Sequence, residues 1–155
     1  MMEVDEMGYT QETDPETTSR AIGKELGISP KKCREVCKEL TGMKVGAAKQ
    51  YLRDVADLKK AVPYTRFKMQ LSPKPGVGPG RYPKKAALAI LRVLESAQSN
   101  AEYKGLEADN MRIKVAAASR GRIEKSYMPR AQGRSTPWNE QTTNIEIVLE
   151  EIEAS

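Results

Sequence analysis

The chain has 155 residues, 39% of them apolar but only 5% aromatic, which is enough for one domain with a modest core. Its net charge of +5 is segregated: residues 1–28 carry a net −5, residues 145–155 a net −4, and residues 29–144 a net +14. No stretch is long and apolar enough to predict a membrane span, and the acidic N-terminus is unlike a secretory signal. The basic middle favours a polyanionic partner; the alternative is a merely soluble charged surface.

Residue types needed for catalysis or metal binding are scarce. The chain has no histidine, and its two cysteines, Cys33 and Cys37, are only four residues apart. That usage indicates a reducing cytoplasm rather than a disulfide framework. No tetrahedral metal site can be completed, and a cysteine nucleophile would lack a histidine base. We therefore predict no metal, no cofactor and no enzymatic activity, with both cysteines buried as small apolar residues.

The N-terminal part is predicted to be mainly helical. A short edge strand at 6–12 precedes a helix at 14–27, which Asp14 caps and Pro15 opens. A second helix at 29–42 and a third at 45–60 follow. The apolar positions of the second helix recur with helical spacing: Cys33, Val36, Cys37 and Leu40.

Proline and glycine dominate the next segment. We predict a short strand at 64–69 and then an irregular basic loop as far as Arg81. Pro83 opens the longest helix, which Gly105 ends. Asn100, in the last turn of this helix, either caps the helix end or bonds RNA.

Two half-buried antiparallel strands are predicted at 111–115 and 145–149, where apolar and polar residues alternate. Residues 119–143 lie between them, and these 25 residues far exceed an ordinary hairpin turn. If they pair as a hairpin arm, its tip projects about 40 Å from the sheet. An arm of that length is not stabilised by its own contacts, so it requires a partner.

The composition of 119–143 indicates which partner. Five bases and one acid lie from Arg120 to Arg134, with Tyr127 and Pro129 among them and Pro137-Trp138 just beyond. Arginine pairs with phosphate oxygens and stacks on bases. Because no recognition helix for the DNA major groove is apparent, RNA is favoured over DNA. On charge alone, a disordered basic loop remains the alternative. Trp138 either stacks on a base or packs at the root of the hairpin, and we favour packing.

Three blocks of the sequence resemble, in the right order, the ribosomal protein L-twenty-two family of the large subunit in its archaeal form, whose eukaryotic counterpart is numbered seventeen. The blocks are PRAQGR at 129–134 with the strand NIEIVLE at 144–150, GRYPKKAA at 80–87 with SNAE at 99–102, and SPKK at 29–32 with the helix at 47–52. Together they span nearly the whole chain. One departure is the segment 70–79, which is shorter than in archaeal and eukaryotic relatives and lacks histidine.

The resemblance implies an α+β fold in a single domain, 1–155, with a small antiparallel sheet packed against helices and a long protruding β-hairpin at 119–143. It implies a structural constituent of the large ribosomal subunit in the cytoplasm, bound to ribosomal RNA and neighbouring ribosomal proteins. The hairpin tip would line the peptide exit tunnel beside the nascent peptide. A free RNA-binding or RNA-chaperone module is the alternative.

The expected RNA-binding residues are mostly bases of the helix starts, the proline-rich loop and the arm. They are Lys31, Lys32, Arg66, Lys68, Arg81, Lys84, Lys85, Arg120, Arg122, Lys125, Tyr127, Arg130, Gly133 and Arg134.

Overall fold

The computed structural model describes residues 8–152, which fold into helices packed against antiparallel strands. The helices are α1 (Pro30–Leu40), α2 (Val45–Ala56) and α3 (Lys84–Tyr103). The strands are β1 (Thr18–Leu26), β2 (Val62–Pro63), β3 (Pro73–Lys74), β4 (Gly78–Arg81), β5 (Met111–Glu124), β6 (Tyr127–Pro129), β7 (Ser135–Pro137) and β8 (Glu140–Glu151). The predicted α+β class is confirmed.

The central sheet has the strand order β1-β8-β5, and both pairings are antiparallel. Ile145, Ile147 and Leu149 alternate along β8, are fully buried and belong to the hydrophobic core. Helices α1 and α3 pack on this sheet, and α2 packs on α3. The two strands predicted at 111–115 and 145–149 are thus confirmed, although both extend well beyond those limits.

Helix α1 contributes its predicted apolar face to the core. Cys33, Val36, Cys37 and Leu40 are all buried. Both cysteines are free thiols, and burial raises the pKa of each to about 12. They are therefore neutral packing residues, as predicted.

The helix predicted at 14–27 is wrong, because this segment contains a turn and then strand β1. Residues 15–17 form the turn, and β1 pairs along its length with β8. Ser19 and Ala21 face inward with strand alternation, and the Ser19 hydroxyl donates a hydrogen bond of 2.5 Å to the Ala97 carbonyl of α3. The tertiary pairing overrides the capping signal of Asp14-Pro15.

Two further boundaries differ from the prediction. Helix α2 ends at Ala56 rather than near Lys60, because Leu58 adopts a left-handed conformation with φ +62°. The strand predicted at 64–69 is wrong: these residues form bends and a turn. The loop predicted as irregular contains β3 and β4, which form a small sheet with β2 in the order β2-β4-β3.

Residues 8–17 lie across the other face of the central sheet. The Thr10 backbone N–H and hydroxyl both donate hydrogen bonds to the buried Glu146 carboxylate, at 3.0 Å and 2.6 Å. The edge strand predicted at 6–12 falls partly outside the described residues, and residues 8–12 are not in a strand.

Candidate nucleic-acid interface

Strands β5 and β8 continue past the sheet as a two-stranded arm. Beyond their last pair, Glu124 with Glu140, strands β6 and β7 pair with each other, starting from Tyr127 and Pro137. At the tip, the Arg130 N–H donates a hydrogen bond of 2.8 Å to the Arg134 carbonyl. Residues 122–140 are exposed except Met128, which is half-buried.

A bulge marks the point where the arm leaves the sheet. The pairing register shifts between Arg120 and Ile123, and a Cβ on Gly121 would lie 2.5 Å from the Thr142 hydroxyl oxygen. That hydroxyl donates a hydrogen bond of 2.7 Å to the Arg122 carbonyl. Any larger residue would force Thr142 to shift, so glycine is favoured here, as expected where two strands approach closely at a bulge.

The basic side chains of the arm are available to a partner. Within residues 8–152, the bases that form ion pairs are Arg34, Lys59, Arg112 and Lys114, and the arm contributes none of them. The Arg130 Nε donates a hydrogen bond of 2.9 Å to the Thr136 hydroxyl, which orients one guanidinium. The arm therefore presents cations that its own carboxylates do not neutralise.

Two aromatic side chains lie beside these cations. Tyr127 is 68% exposed and Trp138 is 57% exposed. The prediction that Trp138 packs at the root of the hairpin is wrong, because its side chain is more than half exposed; its N–H and carbonyl both bond to Ser126, across the arm. Exposed rings between cations suit base stacking.

A second group of predicted residues meets where α1 and α3 begin. Lys31, Lys32, Lys84, Lys85 and Arg120 line one cavity of about 820 Å³ at the root of the arm. Three carboxylates, Glu25, Glu124 and Glu140, line it as well. The cavity is therefore only moderately basic.

A third group lies in a smaller cavity of about 380 Å³ beside the proline-rich segment. Lys32, Lys68 and Arg81 line it, and the described lining contains no carboxylate. Arg66 is not part of this lining; its guanidinium lies 5.4 Å from the centre of the Phe67 ring, and the Lys31 ammonium lies 5.7 Å from the same ring.

Glu35 is an organising residue that the sequence analysis missed. Its fully buried carboxylate accepts hydrogen bonds from the backbone N–H groups of Thr65, Arg66 and Phe67, at 3.0, 3.3 and 3.3 Å. Arg34 lies 3.5 Å from it. This carboxylate takes the place of strand partners for the N–H groups of residues 65–67. No sequence signal identifies it, because a glutamate on a helix is normally solvated.

Other features are structural. The Asn100 side-chain amide donates a hydrogen bond of 2.8 Å to the Arg20 carbonyl, so it ties α3 to β1. Within residues 8–152 no cluster of three metal-ligating side chains occurs. None of the helices described is long and apolar enough to cross a membrane.

Comparison with known proteins agrees with this arrangement. The family model for ribosomal protein L22p/L17e matches residues 21–150. The chain belongs to this family. The family consists of ribosomal proteins, which are structural components, and this confirms the prediction that the chain is not an enzyme.

Three similar relatives are archaeal. The large ribosomal subunit protein uL22 of Methanocella arvoryzae is 46% identical over 149 residues, which cover 94% of this chain and 97% of the relative. The uL22 of Methanococcoides burtonii is 48% identical over 145 residues, 93% of this chain and 96% of the relative. That of Methanothrix thermoacetophila is 50% identical over 137 residues, 86% and 90% of the two chains. The predicted family and its archaeal type are therefore confirmed.

Proposed function

We propose that this protein is a structural constituent of the large ribosomal subunit that binds large-subunit ribosomal RNA and aids its assembly in the cytoplasm. The observation that carries the proposal is the arm, whose exposed bases form no ion pair within the described residues, in a chain of the L22p/L17e family. Each phosphate neutralised by such a base releases counterions, which stabilises the complex. Neighbouring ribosomal proteins are the second class of partner.

The arm tip is proposed to line part of the peptide exit tunnel and to contact the nascent peptide. The tip turn 130–134 is narrow, fully exposed and furthest along the chain from the sheet. A two-stranded projection of this kind reaches through RNA where the body cannot follow.

Shortening the arm tests the assembly role. Glu124 and Glu140 face each other, so residues 125–139 can be replaced by Asn-Gly, which closes a two-residue hairpin turn. We expect the body to keep its circular dichroism spectrum while sedimentation with large subunits in an archaeal host falls about tenfold or more, because arm contacts to RNA are lost. Unchanged sedimentation of the shortened protein contradicts the proposal.

A variant that changes only charge separates the effect of arm length from the effect of arm charge. Lys125→Gln, Arg130→Gln and Arg134→Gln together keep the arm length but remove three cations. Association with the subunit should weaken and depend less steeply on salt than in the wild type. A protein that binds isolated RNAs broadly but never enters a ribosomal fraction is instead a free RNA-binding module.

The tunnel role has its own test. Cys33 and Cys37 are buried, so Gln132→Cys adds a single exposed thiol at the tip. A thiol-reactive crosslinker at this position should join a stalled nascent peptide. Tyr103→Cys, at a side chain that is 94% exposed on the body, is the matched control and should not. Equal crosslinking from both positions contradicts the tunnel proposal.

A further inference from the structure

The smaller basic cavity combines two kinds of lining. Lys32, Lys68 and Arg81 supply three cations, and Leu58, Leu71 and Tyr82 supply apolar and aromatic surface. Its volume of about 380 Å³ falls within the range of small-molecule sites. Cations beside an aromatic wall match one chemical unit in particular, a phosphate attached to a base.

The backbone around this cavity is strained. Leu58 and Lys68 have φ values of +62° and +55°, and they are two of the four non-glycine residues with positive φ in the part of the chain described. Leu58 follows the end of α2, a position where glycine is favoured, yet the chain carries a large side chain there that is 60% exposed. Strain of this kind concentrates at binding sites.

Buried side chains also hold the backbone beside this cavity in place. Glu35 holds the backbone of 65–67, directly before Lys68, through three N–H donors. Tyr64 lines the cavity, is 4% exposed, and its hydroxyl has no hydrogen-bond partner among the described residues. The Lys74 ammonium lies 5.8 Å from the centre of the Tyr82 ring, a cation–π contact with one face of that ring.

We infer that this cavity binds one unstacked nucleotide, with its phosphate on Lys32, Lys68 and Arg81 and its base against Tyr82 and Leu58. The inference rests on the proposed function, since a nucleotide flipped out of ribosomal RNA is its expected source. A free mononucleotide presents the same chemistry. Glu35 is a positioning residue, because it acts through the loop and is itself buried.

The first experiment is a titration of the full-length, ¹⁵N-labelled protein monitored by NMR. Adenosine 5′-monophosphate, adenosine and inorganic phosphate are the three probes. We expect the monophosphate to shift the amide signals around Lys68 and Tyr82 at lower concentration than either fragment. If phosphate alone matches the monophosphate, the cavity binds anions only and the inference is overturned.

The second experiment identifies the source. Two RNA hairpins are compared, one fully paired and one with a single bulged 4-thiouridine, and the protein is photocrosslinked to each. Preferential binding of the bulged hairpin and a crosslink at Leu58 or Tyr82 indicate an RNA nucleotide. Tight binding of the mononucleotide without preference for the bulged hairpin overturns the RNA source.

Variants distinguish binding from folding. Arg81→Gln should weaken monophosphate binding about tenfold, as expected for loss of one charge-assisted contact. Arg92→Gln removes an equal charge at an exposed position of α3, outside this lining, and should have little effect. Leu58→Gly relieves the left-handed backbone, so the protein should be at least as stable while monophosphate binding falls. Loss of both stability and binding would indicate a purely structural residue.

Glu35→Gln is the most informative variant, because electrostatics and positioning predict opposite changes in the affinity for the monophosphate. Removal of a negative charge near the cations strengthens anion binding if electrostatics alone decides. Positioning predicts weaker binding, since the amide cannot accept all of the N–H donors of 65–67. Stronger binding in this variant overturns the positioning role. If all of these tests fail while the protein still sediments with large subunits, only the nucleotide site is lost and the proposed function stands.

Discussion

The body and the arm of this protein share the same two strands but are stabilised in different ways. In the body, β5 and β8 lie under helices, and Ile113 and Ile147 are fully buried. Further along the same strands, beyond the bulge at Gly121, Ile123 is 49% exposed and the neighbouring residues are mostly charged. Strand pairing alone therefore continues where hydrophobic burial has stopped.

The difference also extends to charge. At the body end of the strands, Arg112 and Lys114 both pair with Glu150, at 3.2 and 2.8 Å. In the arm, the bases have no such partners within the described chain. The body thus pairs these two bases internally, whereas the arm leaves its bases available. A two-stranded hairpin without a buried face is marginal in water, which supports the RNA partner proposed for it.

The largest expected contrast comes from two isoleucines of the same strand. Ile113→Ala should lower the free energy of unfolding by about 2–5 kcal/mol, because it leaves a cavity in the core. Ile123→Ala, in the arm, should change it by less than about 0.5 kcal/mol, since the side chain is half exposed. Urea denaturation followed by circular dichroism measures both. Equal losses would mean that the arm is part of the core.

Gly121 tests the boundary between the two regions. Gly121→Ala should cost about 1–3 kcal/mol, because the new methyl meets the Thr142 hydroxyl and Asn144. Gly46→Ala is the matched control: nothing lies near its Cβ position in α2, so it should gain up to about 1 kcal/mol. Thermal unfolding of both variants decides the matter. A neutral Gly121→Ala would show that the bulge relaxes freely.

Glu150 tests the internal pairing of the body. Its hydrogen bond with Lys114, and the further one with Arg112, hold the pKa of this carboxyl below its usual value. Because the folded pKa is depressed, the stabilisation is fully present above the unfolded pKa and is lost as the pH falls through the folded pKa. Glu150→Gln should cost about 0.2–1 kcal/mol at neutral pH, with the difference from wild type vanishing in acid.

The control for that measurement lies in the arm. Glu140→Gln removes an exposed carboxylate that forms no ion pair among residues 8–152. This substitution should not lower stability at any pH, because Glu124 faces Glu140 and like charges opposite each other repel. A pH-dependent loss as large as that of Glu150→Gln would contradict the view that only the body pairs its charges.

The smallest expected effect is a change in the fluorescence of the single tryptophan. Trp138 is exposed in the arm, so acrylamide should quench its fluorescence nearly as well in the native protein as in urea. Urea should change its emission little while circular dichroism reports loss of the body. Strong protection of Trp138 in the protein alone would mean that the arm folds back onto another surface.

Much of the fold was predictable from local pattern. The apolar faces of α1 and α3, the two long strands and the neutral cysteines follow from periodicity and composition. Strand β1 was not predictable, because its capping signal is locally typical of a helix and only pairing with β8 selects the strand. The end of α2 was missed because a leucine occupies a position that favours glycine.

Some features of the candidate site were likewise predictable from the sequence, and others were not. The sequence by itself determined that the chain is basic in its middle, carries an over-long segment between two strands and belongs with ribosomal proteins, because charge and motif are properties of residue order. Tertiary structure alone decided that Lys32, Lys68 and Arg81 share one cavity, that Glu35 is buried behind it, and that Trp138 is exposed. These residues are distant in sequence, and only packing brings them together or keeps them apart.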